Sequence, residues 1–236
     1  MREPRKSPLI PLVIAALAAV ALGAVLLQGG DEPKAAATGA TPESSSTAPP
    51  EAWEQIVRRS PGDPMAVGET DAPVVMVAYS EFQCPFCGKF ARDTEPTLVE
   101  KYVEDGTLRI EWRDFPYLGP ESLLAARAGR AAAAQSSFWA FEEAMYAGQL
   151  PPNSGDLDED HVAGVAAELG LDVDRFRADM ASPEVERAVQ EDFAEGQAIG
   201  VTGTPAFIIN GVPVIGAQPT EVFEQTIEQA ARDATS

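Results

Sequence analysis

The hydrophobic pattern begins with an apolar stretch near the N-terminus, Leu9 to Leu27, which carries no charged side chain. Its length of about 19 residues is close to that of a helix that crosses a bilayer. Basic residues precede the stretch and acidic residues follow it, namely Arg2, Arg5, Lys6, Asp31 and Glu32. Because basic flanks stay cytoplasmic, the pattern predicts a cytoplasmic N-terminus (1–8), a transmembrane signal-anchor (9–27) and an outward-facing remainder.

A cleaved signal peptide is the alternative interpretation of this stretch. Signal cores usually contain about 7–15 apolar residues, so the length favours an uncleaved anchor, although Ala35–Ala40 offers small residues for cleavage. Either interpretation exports the rest of the chain. Residues 28–62 are rich in Ala, Thr, Ser, Pro and Gly, and this composition predicts a flexible extracytoplasmic linker.

A folded domain is predicted over residues 63–236. Val74–Tyr79 is a continuous β-rich run, which is typical of a buried central strand. A helix is predicted from Pro85 to about Glu104, and Thr107–Trp112 has the pattern of a second strand. The order strand, helix, strand indicates a parallel crossover.

Helical periodicity continues from about residue 117 to about residue 198 and predicts an all-helical insertion. Asp158, Asp172 and Ser182 stand where helix N-caps are expected. Asn210-Gly211 then separates two apolar runs, which is a strong hairpin signal, and Thr220 is placed to cap a last helix. The pattern therefore predicts an α/β domain made of a βαβ unit, the helical insertion, and a β-hairpin followed by a helix.

Composition narrows the range of partners. Hydrophobic residues make up 45% of the 236 residues, which is enough for a core. The formal net charge is −20. A surface this acidic repels phosphate backbones, so we expect no nucleic-acid partner.

The two cysteines of the chain lie three positions apart, in Cys84-Pro85-Phe86-Cys87. Pro85 fits the first position of the predicted helix, where its missing N–H costs nothing. Free N–H groups and the positive end of the helix dipole favour a thiolate at Cys84. Cys87, one turn further along, can attack a mixed disulfide formed by Cys84. We interpret the pair as a redox dithiol in which Cys84 is the nucleophile and Cys87 the resolving thiol.

Two other interpretations of the cysteine pair are weaker. A structural zinc ion takes about four Cys or His ligands, whereas the chain contains two Cys and one His. A structural disulfide across so short a ring constrains the unfolded chain little, so stability is a weak reason for it. Disulfide exchange at a cysteine pair needs neither a metal nor a diffusible cofactor, so we expect neither.

Two segments closely resemble the thioredoxin-fold proteins of the DsbA-like group. They are Glu81–Cys87 (EFQCPFC), which follows the hydrophobic strand, and Gly200–Gly211 (GVTGTPAFIING). Arg113–Pro116 and the place of the helical insertion add to the resemblance, which covers about residues 63–232. The resemblance implies a thioredoxin fold with an inserted all-helical subdomain.

The resemblance also implies where substrate binds. Thr204-Pro205 is expected to be a cis bond beside the dithiol. The exposed backbone of Thr204 then pairs with an extended substrate peptide as a short added strand. A proline at the start of a strand is the simpler alternative for Pro205.

Redox tuning is assigned to the residues around the cysteines. Pro85 and Phe86 separate the two thiols, and Phe86 stands where the best-known strong oxidants of the group carry a histidine. Ala78 stands where group members often carry a buried acid. Glu81 either relays protons to Cys87 or is merely solvated.

We expect a membrane-anchored, extracytoplasmic thiol–disulfide oxidoreductase. Its substrates are expected to be reduced or misoxidised exported proteins, and a membrane partner is expected to reoxidise it. Two alternatives remain open: a disulfide reductase or isomerase of the same fold, and a non-catalytic thioredoxin-fold binding module. The reduction potential distinguishes a reductase or isomerase from an oxidant. The pKa of Cys84 distinguishes a binding module from an enzyme, because a non-catalytic thiol should titrate near about 8.5.

Overall fold

The structure is a computed structural model that describes residues 53–235. The predicted cytoplasmic N-terminus (1–8), the predicted transmembrane helix (9–27) and residues 28–52 of the predicted linker lie outside the described residues. Within 53–235, no helix combines the length and the apolar character needed to cross a bilayer.

One mixed sheet forms the centre of the described region. Its strands are β1 (Ala66–Val67), β2 (Val74–Ser80), β3 (Leu108–Asp114), β4 (Ala206–Ile209) and β5 (Val212–Ile215), in the spatial order β1-β3-β2-β4-β5. β2 and β3 are parallel and the other pairs are antiparallel. Every residue of β2 is buried, which confirms the prediction of a buried central strand. The parallel β2–β3 pair likewise confirms the predicted crossover.

The helices cover the sheet and build the insertion. They are α1 (Pro85–Asp93), α2 (Glu95–Leu98), α3 (Pro120–Ala133), α4 (Phe138–Ala147), α5 (Glu159–Glu168), α6 (Val173–Met180), α7 (Pro183–Ala198) and α8 (Thr220–Ala234), with a π-helical turn at Val99–Val103. The helices from α3 to α7 form the insertion. The side chains of Asp158, Asp172 and Ser182 accept hydrogen bonds as the predicted N-caps.

The helix predicted from Pro85 to Glu104 is broken into pieces. It ends at Asp93 and restarts after Thr94. Pro96 explains the break, since a proline has no N–H to donate to the carbonyl four residues earlier and its ring crowds that carbonyl. The cysteine pair therefore sits on a short helix of nine residues.

Both faces of the sheet are buried against different partners. One face packs against α1 and α8 through residues such as Met76, Phe90 and Phe223. The other face packs through Val77 and Tyr79 against side chains that include Ile56 and Phe193 of α7. A third apolar cluster fills the helical insertion and includes both cysteines. The dithiol therefore lies where the sheet domain meets the insertion.

The structure corrects the predicted end of the linker at residue 62. Ile56 is buried, and the backbone N–H groups of Arg58 and Arg59 donate to the carboxylate of Glu111 on β3 at 3.0 and 2.8 Å. Residues 53–62 therefore pack on the domain. The composition of this segment does not indicate these hydrogen bonds, because their acceptor Glu111 is more than 50 positions away in the sequence.

Candidate active site

The cysteine pair occupies the N-terminus of α1. Cys84 is the N-cap residue with an extended backbone, and Pro85 stands in the first turn. The backbone N–H groups of Cys87 and Gly88 donate to the Cys84 carbonyl at 3.0 and 3.1 Å, so the first turn is closed directly over the nucleophile. Both thiols are free, and both residues are buried. Cys84 therefore lies at the positive end of the helix, as the sequence predicts.

The Thr204-Pro205 segment faces the dithiol. Its peptide bond is cis, and Cys84 Sγ lies 3.2 Å from the Thr204 carbonyl oxygen. The loop before β4 thus brings a residue 120 positions away into contact with the nucleophile. Thr204 is half-buried and Pro205 is buried.

The two thiols have opposite acidities. A hydrogen bond from the Cys87 thiol is the main cause that lowers the pKa of Cys84, from 9.0 to about 6. Burial opposes this change, whereas Thr204 and the backbone N–H groups of Cys87 and Phe86 reinforce it. Burial raises the pKa of Cys87 well above 9.0, and the neighbouring Cys84 raises it further. At neutral pH the site therefore holds a thiolate at Cys84 and a thiol at Cys87.

Glu81 is buried beside this pair, with 2% of its surface exposed. Neither carboxylate oxygen has a hydrogen-bond partner of good geometry. Burial raises the pKa of Glu81 to about 7, the negative charge at Cys84 raises it as well, and Ser122 and the Leu118 backbone partly offset this. The alternative of a solvated Glu81 is therefore wrong.

Replacing Glu81 with glutamine is expected to remove a pH-dependent cost of folding. Because the folded protein raises the pKa of this carboxyl from 4.5 to about 7, it favours the protonated form, and that preference is lost as the pH rises through 7. The reduced wild-type protein should therefore lose stability relative to Glu81→Gln between pH 4.5 and 8, by about 2–3 kcal/mol. Urea unfolding across this range measures the difference. The exposed Glu69→Gln is the control, and parallel stability curves for wild type and Glu81→Gln would contradict the assignment.

Of three aromatic residues near the cysteine pair, two are exposed to solvent and one is buried. Phe86 is 62% exposed directly beside Cys84, and Tyr117 is partly exposed. The Tyr117 hydroxyl lies near the Gly203-Thr204 backbone, since a Cβ on Gly203 would come within 3.9 Å of it. Phe82 is instead part of the core, where its ring stacks on Trp112 with centroids 5.4 Å apart. The exposed apolar rim therefore consists of Phe86 and Tyr117.

The insertion supplies site residues that the sequence motifs do not reveal. Gln149, just after α4, donates through Nε2 to the carbonyls of both Phe82 and Cys84 at 2.9 Å. Gly88 makes room for this side chain, because a Cβ there would lie 2.3 Å from Gln149 Oε1. The Tyr146 hydroxyl donates to the Glu81 carbonyl at 3.0 Å. These contacts fix the loop that carries Cys84, and no local pattern near Gln149 or Tyr146 signals them.

Side chains that could bind a metal ion lie apart from one another in the described part of the chain. Among residues 53–235, no three His, Cys, Asp or Glu side chains are grouped so that they could hold a metal ion. His161 lies at the start of α5, where its backbone N–H donates to the Asp158 cap.

Comparison with known proteins decides the family. A thioredoxin family model matches residues 60–229. The probable disulfide bond formation protein D of Bacillus anthracis is 31% identical over 150 residues, which cover 62% of this chain and 69% of that protein. The chain belongs to the DsbA-like family of thioredoxin-fold proteins. The resemblance of its two motifs to this group is thereby confirmed.

Solved structures agree with the DsbA-like fold. A thioredoxin-like oxidoreductase from Silicibacter pomeroyi is 30% identical, with a TM-score of 0.63 over 73% of this chain and 94% of that one. Oxidised BdbD from Bacillus subtilis superposes with a TM-score of 0.67 over 72% of this chain and 94% of that one, at 21% identity. The predicted thioredoxin fold with a helical insertion is therefore confirmed.

Proposed function

We propose that this DsbA-like protein is an extracytoplasmic oxidant that introduces disulfides into exported proteins through Cys84 and Cys87. The chain is a thiol–disulfide oxidoreductase by family, which removes the alternative of a non-catalytic binding module. The observation that carries the proposal is the acidity of Cys84, whose pKa is lowered to about 6 at the helix N-terminus opposite Thr204.

The reaction begins with the oxidised protein, in which Cys84 and Cys87 share a disulfide. A client thiolate attacks Cys84 Sγ, a client–Cys84 bond forms, and the electron pair of the broken bond leaves on Cys87. A second client thiolate then attacks the client's own sulfur, and Cys84 leaves as a thiolate. The client loses two electrons. One of its two protons stays on Cys87 and the other passes to water.

The acidity of Cys84 favours the oxidising direction. A thiolate that the folded protein stabilises makes the reduced form more stable and is the better leaving group. Phe86 offers no charge-assisted hydrogen bond to Cys84 of the kind a histidine would provide. The backbone N–H groups of Phe86 and Cys87 still stabilise the thiolate, so the direction of the reaction is retained.

Client recognition is assigned to the Thr204 backbone and the apolar rim. Thr204 is half-buried, and its side-chain hydroxyl has no hydrogen-bond partner of good geometry in the described structure. An extended client segment can pair with this backbone while Phe86 and Tyr117 contact its apolar side chains. Unfolded exported proteins present such segments.

The proposed location follows from the sequence. The apolar stretch 9–27 with its basic N-terminal flank supports a membrane anchor and an exported domain. Disulfides persist outside the cytosol, where such an oxidant is useful. Each turnover leaves the dithiol reduced, so a membrane partner that accepts two electrons is part of the proposal.

The reduction potential tests the direction of the reaction. We expect the full chain, equilibrated with mixtures of reduced and oxidised glutathione, to have a potential closer to about −120 mV than to about −270 mV. The reason is the stabilised Cys84 thiolate in the reduced form. A potential near about −270 mV would indicate a reductase. An intermediate potential, together with rapid rearrangement of incorrect disulfides in a client, would favour an isomerase.

A further inference from the structure

The loop that follows α4 in the insertion is joined to the segment that carries the nucleophile. Gln149 lies in this loop, and its Nε2 atom donates to the carbonyls of Phe82 and Cys84, each at 2.9 Å. Further along the loop, the backbone N–H of Asn153 donates to Gln83 Oε1 at 2.7 Å. The insertion thus contacts the Cys84 segment through hydrogen bonds between positions at least 65 apart in the sequence.

The contact between Asn153 and Gln83 holds this loop independently of Gln149. Gln83 is 1% exposed, and its Nε2 atom donates to Ser122 Oγ at 2.7 Å. Asn153 also donates through Nδ2 to the Leu118 carbonyl at 3.1 Å. A variant without the Gln149 amide therefore keeps the loop on the domain and loses only the contacts of that amide.

A glycine of the cysteine helix makes room for the Gln149 amide. A Cβ on Gly88 would lie 2.3 Å from Gln149 Oε1 and 2.7 Å from Nη1 of Arg92. Arg92 is exposed and can move aside, whereas Gln149 is half-buried between its two acceptors. Gly88 lies inside α1, where alanine would be the better helix former. The close approach of Gln149 therefore explains the glycine.

We propose that Gln149 is a positioning residue for disulfide exchange, which holds the Cys84 backbone so that its sulfur faces the free N–H groups of α1. Cys84 is the N-cap residue, with φ −70° and ψ 117°. Its carbonyl accepts from the N–H groups of Cys87 and Gly88, and the Gln149 amide is a further donor to the same oxygen. The amide thereby fixes the direction in which the Cys84 side chain leaves the backbone. The inference rests on the proposed disulfide chemistry of Cys84 and Cys87.

The amide also acts on the charge that the nucleophile carries. Its N–H offsets the partial negative charge of the Cys84 carbonyl oxygen, which opposes a thiolate on the same residue. The backbone N–H groups of Phe86 and Cys87 lower the pKa of Cys84, and they do so only while the sulfur stays within their reach. Loss of the amide should therefore raise the pKa of Cys84 and make the reduced form less favourable.

The test compares the wild-type full chain with Gln149→Met, whose side chain has a similar length but no donor. We expect the pKa of Cys84, measured by the ultraviolet absorbance of the thiolate in the reduced protein, to rise by roughly 0.5–1 unit. Because the wild-type pKa is about 6, the equilibrium constant for reduction of the protein by glutathione should fall roughly two- to fivefold at pH 7. This difference should disappear below about pH 5, where both proteins hold a neutral thiol at Cys84.

Two further variants separate positioning from packing. Gln135→Met removes another glutamine of the insertion, which bridges the backbone of Asp172 by donating at 3.1 Å and accepting at 2.9 Å. This brace joins α3 to α6 and does not contact the Cys84 segment, so the pKa of Cys84 should stay at the wild-type value. Gly88→Ala places a Cβ against Gln149 Oε1 and should raise the pKa of Cys84, as Gln149→Met does.

Several outcomes would overturn the inference. An unchanged pKa of Cys84 in Gln149→Met, with a lower free energy of unfolding, would leave Gln149 with a structural role only. An equal rise of this pKa in Gln135→Met would show that any weakening of the insertion has the same effect. If Gln149→Met does not fold, Gly88→Ala decides by the same measurement. A wild-type pKa near about 8.5 would instead contradict the proposed function, so the two failures are distinguishable.

Discussion

Replacing Cys84 with serine is expected to abolish the oxidation of a reduced unfolded client by the full chain, with a loss of roughly a thousandfold or more. Serine cannot form the disulfide that accepts the client's electrons. Cys87 cannot take over the role, because burial raises its pKa well above 9.0 and keeps it a thiol at neutral pH. The recovery of activity of a reduced, disulfide-dependent client enzyme measures the rate.

The matched variant Cys87→Ser separates the roles of the two sulfurs. It retains Cys84 at the helix N-terminus, with a serine hydroxyl in place of the thiol that donates to it, but lacks the thiol that resolves the mixed disulfide. We therefore expect Cys87→Ser to accumulate a covalent complex with a disulfide-containing client, visible on a non-reducing gel, and Cys84→Ser to accumulate none. Complexes formed through Cys87 in the Cys84→Ser protein, or turnover at the wild-type rate, would reverse the assignment.

The parts of the fold that were predictable from the sequence rest on local patterns. The fully buried β2 shows as an uninterrupted apolar run, and the caps Asp158 and Ser182 precede their helices directly. The Asn210-Gly211 turn imposes positive φ values of 43° and 87° that few other residue pairs accept. Such signals act over a few residues, so a single sequence contains them.

The parts that were missed depend on contacts between distant segments. β1 has only two residues and pairs with the edge of β3, so it offers too short a pattern to recognise. Gln149 and Tyr146 reach the Cys84 loop from the insertion, more than 60 positions away. Thr204 was found only through the family motif. Spacing alone identifies the cysteine pair, but not the groups that set its acidity.

A network of buried charges is the largest feature that the sequence did not reveal. It joins the segment before β1, the strand β3 and the helices α3 and α7. Arg58 and Arg130 both bind Asp192 of α7, and Arg130 also binds Asp114 of β3 at 2.6 Å. Because β3 runs next to β2, which ends in the Cys84 loop, this network fixes the strands that support the active site.

Arg113 is at the centre of this network and is 1% exposed. Its guanidinium donates to Glu111 at 2.8 Å, to Glu195 at 3.2 Å and to the Ile56 carbonyl at 2.7 Å. Burial alone would raise the pKa of Glu111, but the Arg58 backbone and the guanidinium groups of Arg109 and Arg113 lower it to about 2. The carboxylate of Glu111 therefore stabilises the folded state at neutral pH, and this stability is lost as the pH falls from 4.5 through 2.

Replacing Arg113 with methionine is expected to destabilise the protein by about 3–5 kcal/mol at pH 7, because it leaves a buried carboxylate short of a cation and a buried carbonyl without a donor. Urea unfolding of the full chain measures the loss. The control Arg187→Met removes the same charge from an exposed pair with Glu191 and should cost less than about 1 kcal/mol.

The gap in free energy of unfolding between wild type and Arg113→Met should narrow as the pH falls from 4.5 to 2, because protonated Glu111 no longer needs the cation. A gap that is small at pH 7, or constant over this range, would show that Glu111 does not depend on Arg113. Residues 53–62 would then be held on the domain by the Arg58 side chain and by their own backbone contacts.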